Sequence, residues 1–257
     1  MRAPPRIARH ERIYAIGDVH GCLDLLVTLL TRIRADAERR PAQRTRILFI
    51  GDLIDRGPCS REVVEWLHDN TGRDGDVIVL RGNHEQMMIQ ALDGDEPSFE
   101  AWLRFGGEQT LRSWGFQDND FALELADIVA AARRAVPPSV TAWLAALPFS
   151  YRSGDFYFVH AGIRPGTSLA RQHPDDLLWI GEEFLSAEVE HEAVIVHGHS
   201  VREHGPEMLR HRINLDTGAY RTGRLTAVGF EGSRQWSISA TSERGVDVPA
   251  PLETEPC

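Results

Sequence analysis

Between residues 13 and 85 this chain three times runs through a short apolar stretch, meets a glycine, and then presents carboxylate, imidazole or amide groups. The stretches are IYAIGDVHG (13–21), ILFIGDLIDRG (47–57) and VIVLRGNHE (77–85). Apolar runs of this length, rich in β-branched residues and bounded by glycine, read as buried strands. Between them the period changes, with Leu25, Leu26, Leu29, Leu30 and Ile33 at helical spacing from Leu23 to about Arg39. SREVVEWLHDN, with Ser60 expected as its N-cap, and HEQMMIQAL read as two further helices. Strands alternating with helices need right-handed crossovers, so the sheet should be at least partly parallel.

From Pro97 to Leu147 the sequence is rich in Ala, Leu and Trp, which predicts a mostly helical insertion with Trp102, Phe105, Trp114 and Trp143 as its packing residues. Strands return at 155–163, 193–200, 212–218, 225–230 and 235–240. Short glycine turns between the last of them predict an antiparallel meander. Residues 241–257 are polar and proline-containing, the composition of a disordered tail, which leaves 1–240 as a single domain. A length of 257 residues allows a large core.

Three cysteines (Cys22, Cys59, Cys257) are too few and too scattered for a disulfide framework or a zinc ribbon. No apolar run approaches the roughly 20 residues that cross a bilayer, and the basic N-terminus lacks the apolar core of a secretory signal. No membrane partner and a cytoplasmic location are therefore expected. A net charge of −10 argues against a nucleic-acid partner, and it requires any anionic substrate to be attracted locally.

Ligands of open α/β sheets gather beyond the carboxyl ends of the strands. Here the first end carries Asp18 and His20, the second Asp52, Asp55 and Arg56, and the third Asn83 and His84. Two later ends, FVHAG and VHGHS, deliver His160 and His199. Asp, His and Asn without thiolate suit hard-to-borderline divalent cations and not a structural zinc. These ligands exceed what one catalytic metal with open positions needs. Two cations about 3.5–4 Å apart, sharing a bridging carboxylate, would use them; such a pair polarises a phosphoryl oxygen and activates water.

GDVHG, GDLIDRG and RGNHE, in this order and with helical connections, resemble the calcineurin-like metallophosphoesterases. Within them they look most like the serine/threonine phosphoprotein phosphatases of the compact bacterial and phage lambda phosphatase type. The resemblance runs from about Ile13 to Phe230, includes HAG, GHS and NLDTGA, and is weakest across the insertion. It implies a four-layer α/β/β/α sandwich of two mixed sheets, the metallo-dependent phosphatase fold. It assigns Asp18 and His20 to a first metal, Asp52 to the bridge, and Asn83, His160 and His199 to a second metal. His84 becomes the general acid and Asp55 its orienting carboxylate, while Arg56, together with Asn83, holds the phosphate.

The activity implied is phosphomonoester hydrolysis by metal-activated water, without a phosphoenzyme. Its substrate would be a phosphoprotein or phosphopeptide carrying phosphoserine or phosphothreonine, with phosphotyrosine as a side activity. Manganese leads as the metal, and iron, zinc or magnesium also fit the ligands. The alternative is a symmetrical bis(5'-nucleosyl)-tetraphosphatase acting on diadenosine tetraphosphate, a related enzyme with a similar GDVHGC start. Asp55 beside Arg56, and Glu85 after His84, favour the protein phosphatase. A phosphoprotein-binding module that has lost turnover is the third reading.

One departure stands out. Where the phage-type enzymes carry a second phosphate-binding arginine two residues beyond a tryptophan, LLWIGEEFL places Gly181 beyond Trp179. Loss of this clamp should weaken phosphate binding, and Arg164 or Arg221 are the candidates to replace it. Arg81 is expected to pair with a local carboxylate, Glu85 to serve the start of its helix or to support the ligands from behind, and His197 to support a ligand or be structural. Asp216 is either the partner of a metal-bound histidine or a turn carboxylate. His10, His68, His173, His191, His204 and His211 are expected at the surface.

Overall fold

A computed structural model of the chain describes residues 3–40, 43–72, 76–94, 96–187 and 191–242. It opens with β1 (Glu11–Ile16), α1 (Leu23–Glu38), β2 (Arg44–Phe49), α2 (Ser60–Asn70), β3 (Val77–Val79) and α3 (Asn83–Asp93). Helices α4 (Glu96–Trp102), α5 (Glu108–Ser113), α6 (Leu125–Ala135) and α7 (Pro138–Ala146) follow, the first two joined through a π-helical turn at Leu103–Gly107. Next come β4 (Ser150–Ser153), β5 (Phe156–Val159), α8 (Pro174–Trp179), α9 (Glu182–Leu185) and β6 (Val194–His197). The described part closes with β7 (Glu207–Met208), β8 (Arg212–Asn214), α10 (Ala219–Thr222), β9 (Arg224–Glu231) and β10 (Arg234–Thr241).

The strands form two five-stranded mixed sheets, ordered β10-β9-β1-β2-β3 and β4-β5-β6-β8-β7. β1, β2 and β3 pair in parallel, as the crossover pattern requires. The antiparallel meander expected at the end of the chain does not form. β8 pairs in parallel with β6 and antiparallel with β7 in the second sheet, and of the last three expected strands β9 and β10 make a hairpin in the first. The chain changes sheets through residues 215–223, which carries Asp216 and Tyr220 past the strand ends.

Strand periodicity explains the layers. In β1, Ile13 and Ala15 join a cluster with Phe156, Phe158, Val196 and Ile213 between the sheets. Tyr14 and Ile16 point the other way, into a cluster with Leu25, Leu26, Leu29, Val63 and Leu67 of α1 and α2. β5 repeats the alternation, because Tyr157 and Val159 pack outward with Leu177 and Phe184 of α8 and α9. The result is the four-layer α/β/β/α sandwich. Phe230 meets Phe156 and Phe158 between the sheets with centroids 5.0 and 5.4 Å apart. Such pairs add roughly 0.5–1.5 kcal/mol each beyond their buried area.

Some local expectations fail. Ser60 does not cap α2: it is the first helical residue, and its hydroxyl accepts the Asp55 N–H at 3.0 Å. Phe105, expected to pack internally, is 53% exposed. Of the tail expected at 241–257, Thr241 is the last residue of β10, and residues 243–257 lie outside the described residues. Among the described residues, no helix is long and apolar enough to cross a membrane.

Candidate metal centre

The loops after β1 and β2 are tied together by their backbones. Val19 and His20 N–H both donate to the Asp52 carbonyl (3.0 and 2.9 Å), and Gly21 N–H donates to that of Leu53 (2.8 Å). His20, Asp52, Asp55, Arg56 and His199 all have positive φ, between 46° and 71°. Among the described non-glycine residues only His10 shares this, so the left-handed turns fall on the candidate site residues themselves. L-residues adopt this region at a cost, and observed strain of this kind marks functional sites. The neighbouring glycines serve close approach. A Cβ at Gly82 would collide with the Asp52 carboxylate and N–H, and one at Gly198 with the Asp18 carboxylate.

Glu85 holds the centre from below. Its buried carboxylate accepts the N–H groups of Asp52 (2.9 Å), Leu53 (2.8 Å) and Gly82 (2.7 Å), which locks the β2 loop onto the start of α3. Glu85 thus serves the helix start and fixes the Asp52 turn together.

Within this frame the acceptors converge. His20, Asp52 and His84 offer ligand atoms within 4.8 Å of one another, as do Asp52, His160 and His199, so Asp52 is common to both groups. Asp52 Oδ2 lies 3.5 Å from His20 Nε2, and Oδ1 lies 3.4 Å from His160 Nε2. The outer ring nitrogens are occupied: Nδ1 of His20 donates to the Ile54 carbonyl (2.7 Å) and Nδ1 of His160 to that of Ile50 (3.0 Å). Each Nε2 is therefore left as an acceptor beside a carboxylate, met from the protein by Arg56 Nη1 at His20 and by the Asn83 amide at His160. Asn83 stands between them. Turned one way, its amide nitrogen donates to Asp52, His160 and His199 at 3.3, 2.7 and 3.1 Å; turned the other way, its oxygen becomes one more acceptor at the same point. Asp18 joins through its carboxylate, which accepts the His199 N–H at 3.1 Å.

Acceptors crowded into a buried space favour a cation among them, so the donor set fits divalent metals. Protonation tells the same story. Burial first, then neighbouring positive groups, lowers His20, and it brings His160 to about 3 and His199 to about 4, which keeps the imidazoles neutral and able to ligate. Burial, followed by the charges of Asp216 and Asp52, pushes the Asp18 carboxyl well up, a crowding that a cation relieves.

His84 sits at the edge of the cluster, with Nε2 3.8 Å from Asp52 Oδ2 and Nδ1 2.6 Å from Asp55 Oδ2. Asp55 is wholly buried and also accepts from Trp102 Nε1 (2.9 Å) and the Thr110 hydroxyl (2.6 Å). Burial pushes Asp55 up to about 8 against these donors and brings His84 down to about 4. Trp102 and Thr110, 47 and 55 positions away, gave no sequence signal beyond apolar packing.

Arg56 faces the same centre. Its Nη1 donates to His20 Nε2 at 2.9 Å, and its guanidinium lies 4.7 Å from the Tyr220 ring centroid. Tyr220 also packs edge-on against His20 at 5.2 Å, a contact that the sequence reading missed. Arg164 is held by Asp176 and Glu183 (2.5 and 2.9 Å), away from this group. Arg221 pairs with Glu203 at 2.7 Å on the rim. Around Gly181, the place of the absent arginine, a Cβ would meet nothing within 4 Å.

Arg81 finds no carboxylate among the described residues. It donates to Gln86 (2.9 Å) and stacks on Phe149 at 4.6 Å. Asp216 takes the turn option, accepting the Gly218 N–H at 2.8 Å. His197 is fully buried with Nε2 unpartnered, and His191 and His211, expected at the surface, are half-buried.

The family model for calcineurin-like phosphoesterases matches residues 11–221. A symmetrical bis(5'-nucleosyl)-tetraphosphatase of Methylococcus capsulatus is 33% identical over 163 residues, covering 62% of this chain and 47% of that protein. Serine/threonine-protein phosphatase 1 of Salmonella typhimurium is 34% identical over 98 residues, covering 38% of this chain and 40% of that protein. The matches to these two span about half of each relative or less. The asymmetrical bis(5'-nucleosyl)-tetraphosphatase PrpE of Bacillus velezensis is 26% identical over 253 residues, covering 90% of this chain and 93% of that protein.

Proposed function

The chain belongs to the calcineurin-like phosphoesterase family, and from that premise we infer that it is a dinuclear metal hydrolase whose substrate is a dinucleoside polyphosphate. The observation that carries the chemistry is the aim of His84: Asp55 takes its Nδ1, so Nε2 faces the cluster around Asp52.

Asp18, His20, Asp52, Asn83, His160 and His199 would hold two divalent cations, which supply Lewis-acid polarisation of the phosphoryl group and water of lowered pKa. Manganese is the proposed ion, and iron, zinc or magnesium suit the same donors. In this reading the Asp55 carboxyl, which burial keeps protonated, donates to His84 Nδ1, so that the neutral ring carries its proton at Nε2 and gives it to the leaving oxygen. Arg56 clamps the phosphate with a planar fork of donors. Asn83, besides ligating, donates its amide toward a phosphate oxygen.

The substrate class draws its support from relatives. Two of those described above are named tetraphosphatases, and the Bacillus protein aligns along nearly its whole length. A serine/threonine protein phosphatase is the second reading, favoured by the Asp55–Arg56 pair, by Glu85 and by the shorter match to the Salmonella phosphatase.

The test compares kcat/KM for diadenosine tetraphosphate and for a phosphothreonine peptide. It uses chelator-stripped protein with Mn2+, Fe2+, Zn2+ or Mg2+ restored one at a time. A preference for the dinucleotide of about tenfold or more, worth about 1.36 kcal/mol in the barrier, is expected. The reverse preference would establish the phosphatase reading, and tight phosphopeptide binding with no turnover under any metal would establish the binding module.

A further inference from the structure

A groove of about 550 Å³ is lined by Val201, Arg202, Glu203, His204, Glu207 and Arg221 among others, residues that follow the site residues His199 and Tyr220 in the chain. We propose that this groove receives the part of the substrate beyond the scissile phosphate, and that Arg221 is the residue that selects polyphosphates over simple monoesters. The inference rests on the hydrolase reading above and says where the remainder of such a substrate lies.

Continuity with the centre is the first support. One wall starts at Val201, just after His199, whose imidazole is part of the cluster. The opposite wall, at Arg221, directly follows Tyr220, whose ring lies 5.2 Å from His20 and 4.7 Å from the Arg56 guanidinium. A phosphate chain held at Arg56 therefore meets the mouth of the groove. The wall is also anchored: Arg202 N–H donates to the Asp216 carbonyl at 2.8 Å, and Arg224 Nη1 donates to that of His204 at 3.3 Å.

Charge and size agree. A chain of net charge −10 repels a polyanion as a whole, so the attraction must come from guanidinium groups where the anion sits. The groove offers two, Arg202 and Arg221, each facing a carboxylate of the same lining, Glu207 at 3.5 Å and Glu203 at 2.7 Å, which an incoming phosphate must displace. Arg221 is paired with Glu203 at 2.7 Å, but both side chains are about half exposed (50% and 52%). Such surface pairs contribute little and exchange readily, so an incoming phosphate can take over the guanidinium. Arg164 is gripped by two carboxylates instead. The volume lies in the range of ordinary small-ligand sites, roughly 300–1,000 Å³.

Arg221→Ala and Arg221→Lys, with Arg164→Ala as control, test the proposal on the manganese-loaded protein. The quantity read is the ratio of kcat/KM for diadenosine tetraphosphate to kcat/KM for para-nitrophenyl phosphate, which has no further phosphates. Arg221→Ala should lower this ratio about tenfold or more, chiefly through KM, as loss of one charged phosphate contact implies. Arg221→Lys should recover part of the loss, and Arg164→Ala should leave the ratio as in the wild type. Calorimetric titration of diadenosine tetraphosphate into His84→Asn protein, with and without Arg221→Ala, should show the same weakening in Kd. A ratio unchanged in Arg221→Ala, or an equal fall on both substrates, overturns the groove while leaving the hydrolase intact. Wild-type protein that cleaves para-nitrophenyl phosphate but not the dinucleotide overturns the substrate reading itself, and this inference with it.

Discussion

Asp52 serves both halves of the centre at once: His20 and His160 approach its two oxygens at 3.5 and 3.4 Å, and the His84 N–H donates to Oδ1 at 3.1 Å. Asp52→Asn exchanges one acceptor oxygen for a donor where cations would sit. His84→Asn removes the group aimed at the leaving oxygen. Each should lower kcat for para-nitrophenyl phosphate by at least about tenfold, one step of roughly 1.36 kcal/mol in the barrier. Circular dichroism of both variants should remain native, and near-native turnover in either would remove its assigned role. Around Asp55 the effect is on stability. Trp102→Phe keeps the buried ring but withdraws the indole N–H from a fully buried carboxylate. The expected loss is about 1–3 kcal/mol in urea unfolding, the cost of an unmet buried acceptor. A change within error would mean that Thr110 and His84 suffice.

Secondary elements carry what single residues cannot. Helix α1 is fixed to the first sheet through Asp36, which accepts from Tyr14 (2.8 Å), Arg40 (2.9 Å) and Trp236 (2.9 Å). Burial pushes this carboxyl up, but hydrogen bonds from Arg40, Tyr14 and Trp236 outweigh it and hold it below the ordinary carboxylate value. A carboxyl lowered on folding stabilises the protein above its unfolded pKa of about 3.9, and that contribution fades as pH falls through the folded value. Asp36→Asn should therefore destabilise the protein more at pH 7 than near pH 3, read by denaturant unfolding at both; equal losses would contradict it. At the start of α3 the restriction is steric. Gly82→Ala has no room for its methyl beside Asp52, so metal binding should fall sharply, and because Gly82 is the N-cap of α3, where alanine is poorer than glycine, the helix gains nothing in return.

The same elements show what could be read from the sequence. Strand ends and their order were legible because each lies in one short window: apolar run, glycine, ligand. The layers were legible only through the family resemblance, because every residue of β1 and β5 is buried and no polar face marks which side is which. The web around Asp55 was not, because Ser60, Trp102 and Thr110 reach it from separate helices, and nothing near Trp102 distinguishes a hydrogen-bonding indole from a packing one. The sheet change after β8 was hidden for a related reason. NLDTGAY looks like a hairpin turn locally, and only the pairing of β8 with β6 sends the next strand to the other sheet. Arg81 was misread because a half-buried guanidinium can be satisfied by carbonyls and a ring as well as by a carboxylate.

Across the whole molecule, the centre sits where two sheets and their helices meet, and its ligands come from both sheets. Cations bound there would join the layers, and a ligand that binds only the folded state stabilises it by RT ln(1 + [L]/Kd), about 2.7 kcal/mol at a hundredfold excess over Kd. Chelation should thus lower Tm, and added manganese should restore it in a concentration-dependent way. A Tm indifferent to both would mean that the layers hold together without help from the centre.

The left-handed backbones of His20, Asp52, Asp55, Arg56 and His199 have a consequence for anyone seeking a hardier version of this protein. At most left-handed positions glycine relaxes the chain at no loss, and consensus design exploits it. Here every such replacement would delete a side chain to which the proposed function gives a part as ligand, orienting carboxylate or clamp. Heat tolerance must therefore be sought in the outer helices, and any gain made by loosening these five turns will be matched by a loss of turnover.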